Sequence, residues 1–178
     1  MTQSAAVAFA QLSSLREHSP HRETVGMKDD VIHQFLASDP TLAAAIGEAL
    51  ERREALSNEF GDDMLSMPES ELSPILQSDF INFYAPATVN PYVALAARGP
   101  WIITAHGAVL HDNGGYGMLG SGHGPTGVID AMSQNWVMAN VMTPSYSHKR
   151  LADRLKKELG YSRGSCPFTR FICMNSGS

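Results

Sequence analysis

Apolar positions recur at helical spacing along much of the first part of the chain. From Asp39 onward, Leu42, Ile46, Ala49 and Leu50 fall on one side, with Glu48, Glu51, Arg52 and Arg53 on the others. Asp39-Pro40 supplies a helix start: Asp as N-cap, and Pro at N1, where its missing N–H costs nothing. Glu48 and Arg52 stand at i,i+4 and support that helix modestly. The pattern fades near Asn58, and Gly61-Asp62-Asp63 ends it. A shorter helix is predicted over 28–37, with Val31, Ile32, Phe35 and Leu36 as its apolar side. Pro68, Pro74, Pro86 and Pro91 then punctuate what reads as a connecting stretch.

After Pro91 the pattern changes. Residues 101–105 predict a strand, His106-Gly107 a turn, and residues 108–112 a returning strand, with glycine at the turn position that demands positive φ. A glycine-dense passage over 114–125 follows. Val128, Ile129, Met132, Trp136 and Ala139 then fit an amphipathic helix, with Trp136 as its core anchor. Residues 147–159 predict another helix, with Leu151, Leu155 and Leu159 at i,i+4 and Gly160 as its C-terminal stop. Residues 168–174 predict a closing strand. Hairpin, loop, helix, helix and strand together describe the opening of an α/β domain.

Composition narrows the possibilities. The chain has 178 residues, 43% of them hydrophobic, enough for one substantial core. A net charge of −5 offers no global basic field for nucleic acid or an anionic membrane. The apolar run over 5–10 lacks a preceding basic segment, so it does not read as a secretory signal. The most apolar later stretch, 92–110, is interrupted by Arg98, Gly99, Pro100, His106 and Gly107 and does not read as a membrane span. Two cysteines, Cys166 and Cys173, make neither a disulfide framework nor a zinc-site spacing. A reducing cytoplasm is the expected location.

Several short motifs have plain structural readings. Gly115, Gly117 and Gly120 form a literal G-x-G-x-x-G. No helix pattern contains the third glycine, and no acidic residue follows about 20 residues on, so a dinucleotide fingerprint is not expected. His123 reads as a histidine bonded to loop backbone at the start of a helix rather than as a metal ligand, and no metal site is predicted. His106 and His111 flank the hairpin and are expected to be exposed. The Asn175-Ser176-Gly177-Ser178 segment differs, because it follows a predicted strand. There, backbone N–H groups and hydroxyls form an anion cradle when a helix begins next.

From about Pro91 onward these parts occur in the order seen in class-III aminotransferases, pyridoxal-phosphate enzymes of fold type I, and the chain resembles their N-terminal third. The resemblance rests on the hairpin with its glycine turn, Asp112 at the end of the second strand, and the 116–123 passage ending Gly122-His123. It continues through the helix with Gln134, the Leu-Ala-x-x-Leu helix at Leu151 to Leu155, and Asn175-Ser176-Gly177-Ser178. It implies three parts: a helical N-terminal extension over 1–85, a small-domain hairpin and glycine-rich segment over 86–125, and the beginning of the large cofactor-binding domain over 126–178. It implies that Ser176, Gly177 and Ser178 bind the phosphate of pyridoxal 5'-phosphate, and that Tyr116 contacts substrate. The activity implied is transfer of an amino group from an amino donor to a 2-oxo acid, in a homodimer with interfacial active sites. An aminomutase or decarboxylase on the same scaffold, or a non-enzymatic α/β interaction module, are the alternatives.

The chain is expected to be a truncated piece of such an enzyme, ending at the phosphate loop. None of Lys28, Lys149, Lys156 and Lys157 matches the family's Schiff-base lysine, so no catalytic residue is assigned and no turnover is expected from this chain alone.

Overall fold

The computed structural model describes residues 3–19, 21–113, 120–137 and 142–172. The chain divides into two compact units, Met1–Met132 and Ser133–Ser178. Among the described residues it is mixed α/β, with seven α-helices and one three-stranded antiparallel sheet.

The first unit opens with α1 (Gln3–Glu17), α2 (Asp29–Ser38) and α3 (Pro40–Phe60). The helix predicted over 28–37 is α2, and α3 begins where Asp39-Pro40 places it. The Asp39 side chain accepts from the Thr41 backbone N–H at 2.8 Å and thereby caps the helix. Ala5, Ala8, Leu12 and Leu15 of α1 meet Ile32 and Leu36 of α2 and Leu42, Ala45, Ile46 and Ala49 of α3. Alanines at these positions allow α1 and α3 to approach closely.

The sheet is a meander of β1 (Ala94–Arg98), β2 (Trp101–Thr104) and β3 (Val109–His111). β1 and β2 join through Gly99-Pro100, with Arg98 opposite Trp101, and a bulge at Leu95 shifts the register. β2 and β3 pair Trp101 with His111, Ile102 with Leu110 and Ile103 with Val109. Residues 105–108 connect them: Thr104 N–H donates to the Ala108 carbonyl, Gly107 N–H donates back to the Thr104 carbonyl, and Gly107 sits at φ +74°. Alternation along the strands places Ala96, Trp101, Ile103 and Val109 in the helical core, and Ile102 and Leu110 on a separate cleft. The helices α1 to α3 and the sheet therefore share one core.

Several expectations change. The proline-punctuated stretch contains α4 (Asp62–Leu65) and α5 (Glu69–Gln77). Pro68 precedes the first turn of α5, and Pro74 lies inside it, lacking one ladder donor but ending nothing. β1 adds a third strand to the predicted hairpin. His106, expected to be exposed, is fully buried, because the loop turns it inward to bond the Met67 carbonyl through Nε2 at 2.7 Å. The helix predicted through Ala139 stops as α6 (Thr126–Met132), ahead of the weak helix formers Ser133 and Asn135. Trp136 is half-exposed beyond it and anchors no core.

In the second unit α7 (Tyr146–Leu159) matches the predicted helix. It is held by i,i+4 pairs Lys149–Asp153 and Arg154–Glu158. Leu151 and Leu159 are about half exposed. Gly160 has φ −88° and does not end the helix by a left-handed turn. Its lack of a Cβ lets Ser165 and Cys166 backbone approach to within 2.8 Å of where one would stand. Residues 168–172 form no strand, and Phe168 and Ile172 are exposed. No neighbouring strand among the described residues pairs their backbone, and apolar alternation alone does not hold a strand.

Candidate functional site

A cleft of about 1160 Å³ opens beside the sheet in the first unit. Ile102 and Leu110 contribute its floor, Ser73 and Gln77 of α5 one wall, and Tyr84 and Tyr92 the approach. Asp112, Asn113 and His123 bring polar chemistry to it.

The centre of that chemistry is a carboxylate–imidazole pair. Asp112 Oδ2 and His123 Nε2 lie 2.8 Å apart, and both side chains are roughly three-quarters buried. A carboxylate at this distance accepts from the Nε2–H tautomer and leaves Nδ1 as the acceptor nitrogen. Such a pair orients an imidazole and stabilises it if it takes a proton, the arrangement a general base requires.

Both residues are set by the Gly99-Pro100 turn. Asp112 N–H donates to the Pro100 carbonyl at 2.7 Å. Gly99 and His123 exchange both backbone hydrogen bonds at 2.8 Å. A Cβ on Gly122, which has φ +76°, would stand 2.8 Å from the Gly99 Cα and carbonyl oxygen, so only glycine permits this approach. The turn is tied in its own right to α3. Arg98 pairs with Glu48, its Nε donating at 2.8 Å, and a hydrogen bond from Arg98 reaches the Gly124 carbonyl. The Glu48 contact, hydrogen bond first and charge second, raises the Arg98 pKa above its ordinary value. His111 sits alongside, its Nδ1 2.7 Å from the Asn113 side-chain oxygen.

The sequence singled out His123 but assigned its ring to loop backbone. Its ring instead meets Asp112, eleven residues earlier, and it is the His123 backbone that bonds the loop. The visible sign was Asp112 at a strand end, followed by a glycine-rich return long enough to bring the chain back.

Tyr116, Ser176, Gly177 and Ser178 lie outside the described residues. Lys28, Lys149, Lys156 and Lys157 are all exposed, and Lys149 is held by Asp153 at 2.6 Å. A Schiff-base lysine needs a desolvated pocket that lowers its pKa, so these four do not fit a bound pyridoxal phosphate. Among the described residues no three His, Cys, Asp or Glu side chains gather as a metal site, and no helix is long and apolar enough to cross a membrane.

The chain matches none of the known protein-family models, curated proteins or solved structures with which it was compared. The site is therefore defined by its own geometry.

Proposed function

We propose that this chain is the N-terminal part of a class-III, fold-type-I aminotransferase, which moves an amino group from an amino donor to a 2-oxo acid with pyridoxal 5'-phosphate. The cofactor supplies the electron sink for that chemistry. The observation that carries the reading is the Asp112–His123 hydrogen bond. It joins two positions on which the sequence resemblance rests, at the mouth of a cleft of substrate size. The order of meander, glycine-rich return, α6 and α7 supports it further.

In this reading Asp112 and His123 are positioning residues. They fix the return segment to the Gly99-Pro100 turn and hold one wall of the cleft. Ser176, Gly177 and Ser178 are the proposed phosphate ligands, Tyr116 the proposed substrate contact, and a cytoplasmic homodimer the proposed assembly. No lysine among these residues suits an aldehyde cofactor, so the chain alone is expected to turn nothing over.

Borohydride trapping tests the proposal. With pyridoxal phosphate, this chain should yield no stoichiometric lysine adduct. A longer protein carrying it should yield one on a lysine outside residues 1–178 and transfer amino groups to a 2-oxo acid. A stoichiometric adduct on one of the four lysines here, or a longer protein without transfer across a panel of amino donors, overturns the proposal.

A second reading, a non-enzymatic interaction module, is favoured by one observation: α1 to α3 share a core with the sheet. Trapping with no adduct anywhere in the longer protein supports that reading instead.

A further inference from the structure

A smaller cavity adjoins the cleft, sharing Leu76, Val93 and Ala94 with it, and lies among the end of α3, α4, α5 and the start of β1. Its volume is about 160 Å³. Ten of its eleven lining residues are apolar, among them Leu56, Phe60, Leu72 and Leu95. The eleventh is Arg53.

Those two features belong to different chemistries, and together they specify a ligand. The volume is close to that of an apolar cavity that accepts a benzene-sized molecule, and the cavity is partly open, Phe60 and Leu76 being about half exposed. A largely buried arginine side chain in the lining favours an anion with good geometry as its partner. The Arg53 side chain is only 11% exposed, and its ion pair is with Asp62, Nη2 to Oδ1 at 3.1 Å. Asp62 itself is 68% exposed and is also held by the Ser57 hydroxyl at 2.9 Å. That carboxylate thus engages one corner of a fork with five N–H donors, and Arg53 has no other side-chain partner among the described residues.

We infer that this cavity binds a small apolar monocarboxylate, with an aryl or branched aliphatic body in the cavity and its carboxylate on Arg53. Asp62 competes with the ligand for the same guanidinium. No part of the Asp112–His123 pair takes part, so the inference stands apart from the proposed amino transfer.

The test is titration of the intact chain with benzoate and with benzyl alcohol, its neutral counterpart, followed by NMR of the Leu72 and Leu95 methyl groups. A charge-assisted hydrogen bond predicts benzoate binding about tenfold or more tighter than benzyl alcohol. Arg53→Gln should abolish that preference. Because Arg53 is nearly buried and its variant could unfold, Asp62→Asn provides the exposed-site alternative. It should tighten benzoate several-fold and leave benzyl alcohol unchanged. Ala94→Leu, which adds bulk to the lining, should weaken both ligands alike. Equal affinities for benzoate and benzyl alcohol, no methyl shifts with benzoate, or an Asp62→Asn variant that treats both ligands as the parent does would each overturn the inference.

Discussion

The Trp101 indole donates to Asp39 Oδ2 at 2.7 Å, while Asp39 Oδ1 accepts from the Thr41 N–H at 2.8 Å. One carboxylate thus caps α3 and satisfies the largest fully buried side chain of the sheet. The partners are 62 positions apart in sequence, so this contact sets where the helical layer begins relative to β2.

Asp39→Ala should remove the cap and leave the indole N–H without its acceptor, costing about 3 kcal/mol in all. Asp39→Asn keeps an oxygen for Thr41 and should cost about 1 kcal/mol. Urea unfolding followed by Trp101 fluorescence checks both. Equal losses in the two variants would show that the indole contact, which both remove, and not the cap, carries the stability of this side chain.

The same carboxylate predicts an acid response. Burial pushes the Asp39 pKa up, but hydrogen bonds from Trp101 and Thr41 outweigh it and hold the group below its ordinary value. A depressed folded-state pKa gives stability that is fully present above the unfolded value, about 3.9, and is lost as pH falls through the folded value. The stability gap between the parent and Asp39→Asn should therefore be constant near neutrality and close progressively below about pH 4. A gap that widens on acidification would reverse the sign of this assignment.

Glu69 and His106 are both fully buried, with Glu69 Oε1 3.8 Å from His106 Nδ1. Among the described residues neither of those two atoms has a hydrogen-bond partner, whereas Glu69 Oε2 accepts from Thr24 N–H at 2.8 Å. Glu69→Ala should strand the Thr24 donor and cost about 3 kcal/mol. Glu69→Gln retains an acceptor for Thr24 and should be markedly milder. Hydrogen exchange at the Thr24 amide distinguishes them: accelerated in the alanine variant, protected in the glutamine one.

At the cleft, Gly122→Ala forces a Cβ against Gly99 at a positive φ and should cost about 1–3 kcal/mol. Its more telling effect is on His123, whose ring ¹⁵N signals should move as the Gly99 bridge opens. Asp112→Asn should alter the same signals through the tautomer alone, leaving urea stability nearly unchanged. If neither substitution moves them, the Asp112–His123 bond does not fix the ring in solution.

Local chemistry made α2, α3, the β2–β3 turn and α7 legible in the sequence, because caps, helical periodicity and a positive-φ glycine act over a few residues. What was hidden depended on distant partners. Pro74 looked like an interruption, yet α5 forms around it, with Leu72 buried and its neighbour Glu69 bonded to Thr24. His106 looked like a turn residue and became core because Met67 supplies an acceptor. Of the strand predicted over 168–174, residues 173–174 lie outside the described residues and 168–172 form none, since alternation describes a face but provides no neighbour. For the site, Asp112 and His123 were both visible, but their pairing was not, because the Gly99-Pro100 turn brings them together.

The Met27 amide donates to the Val109 carbonyl at 2.8 Å, which places the segment before α2 against the outer margin of β3. A backbone group that would otherwise recruit a fourth strand is already engaged. Growth of the sheet by strand addition is thus opposed on that flank, which lowers the tendency of two copies to zip together through β3.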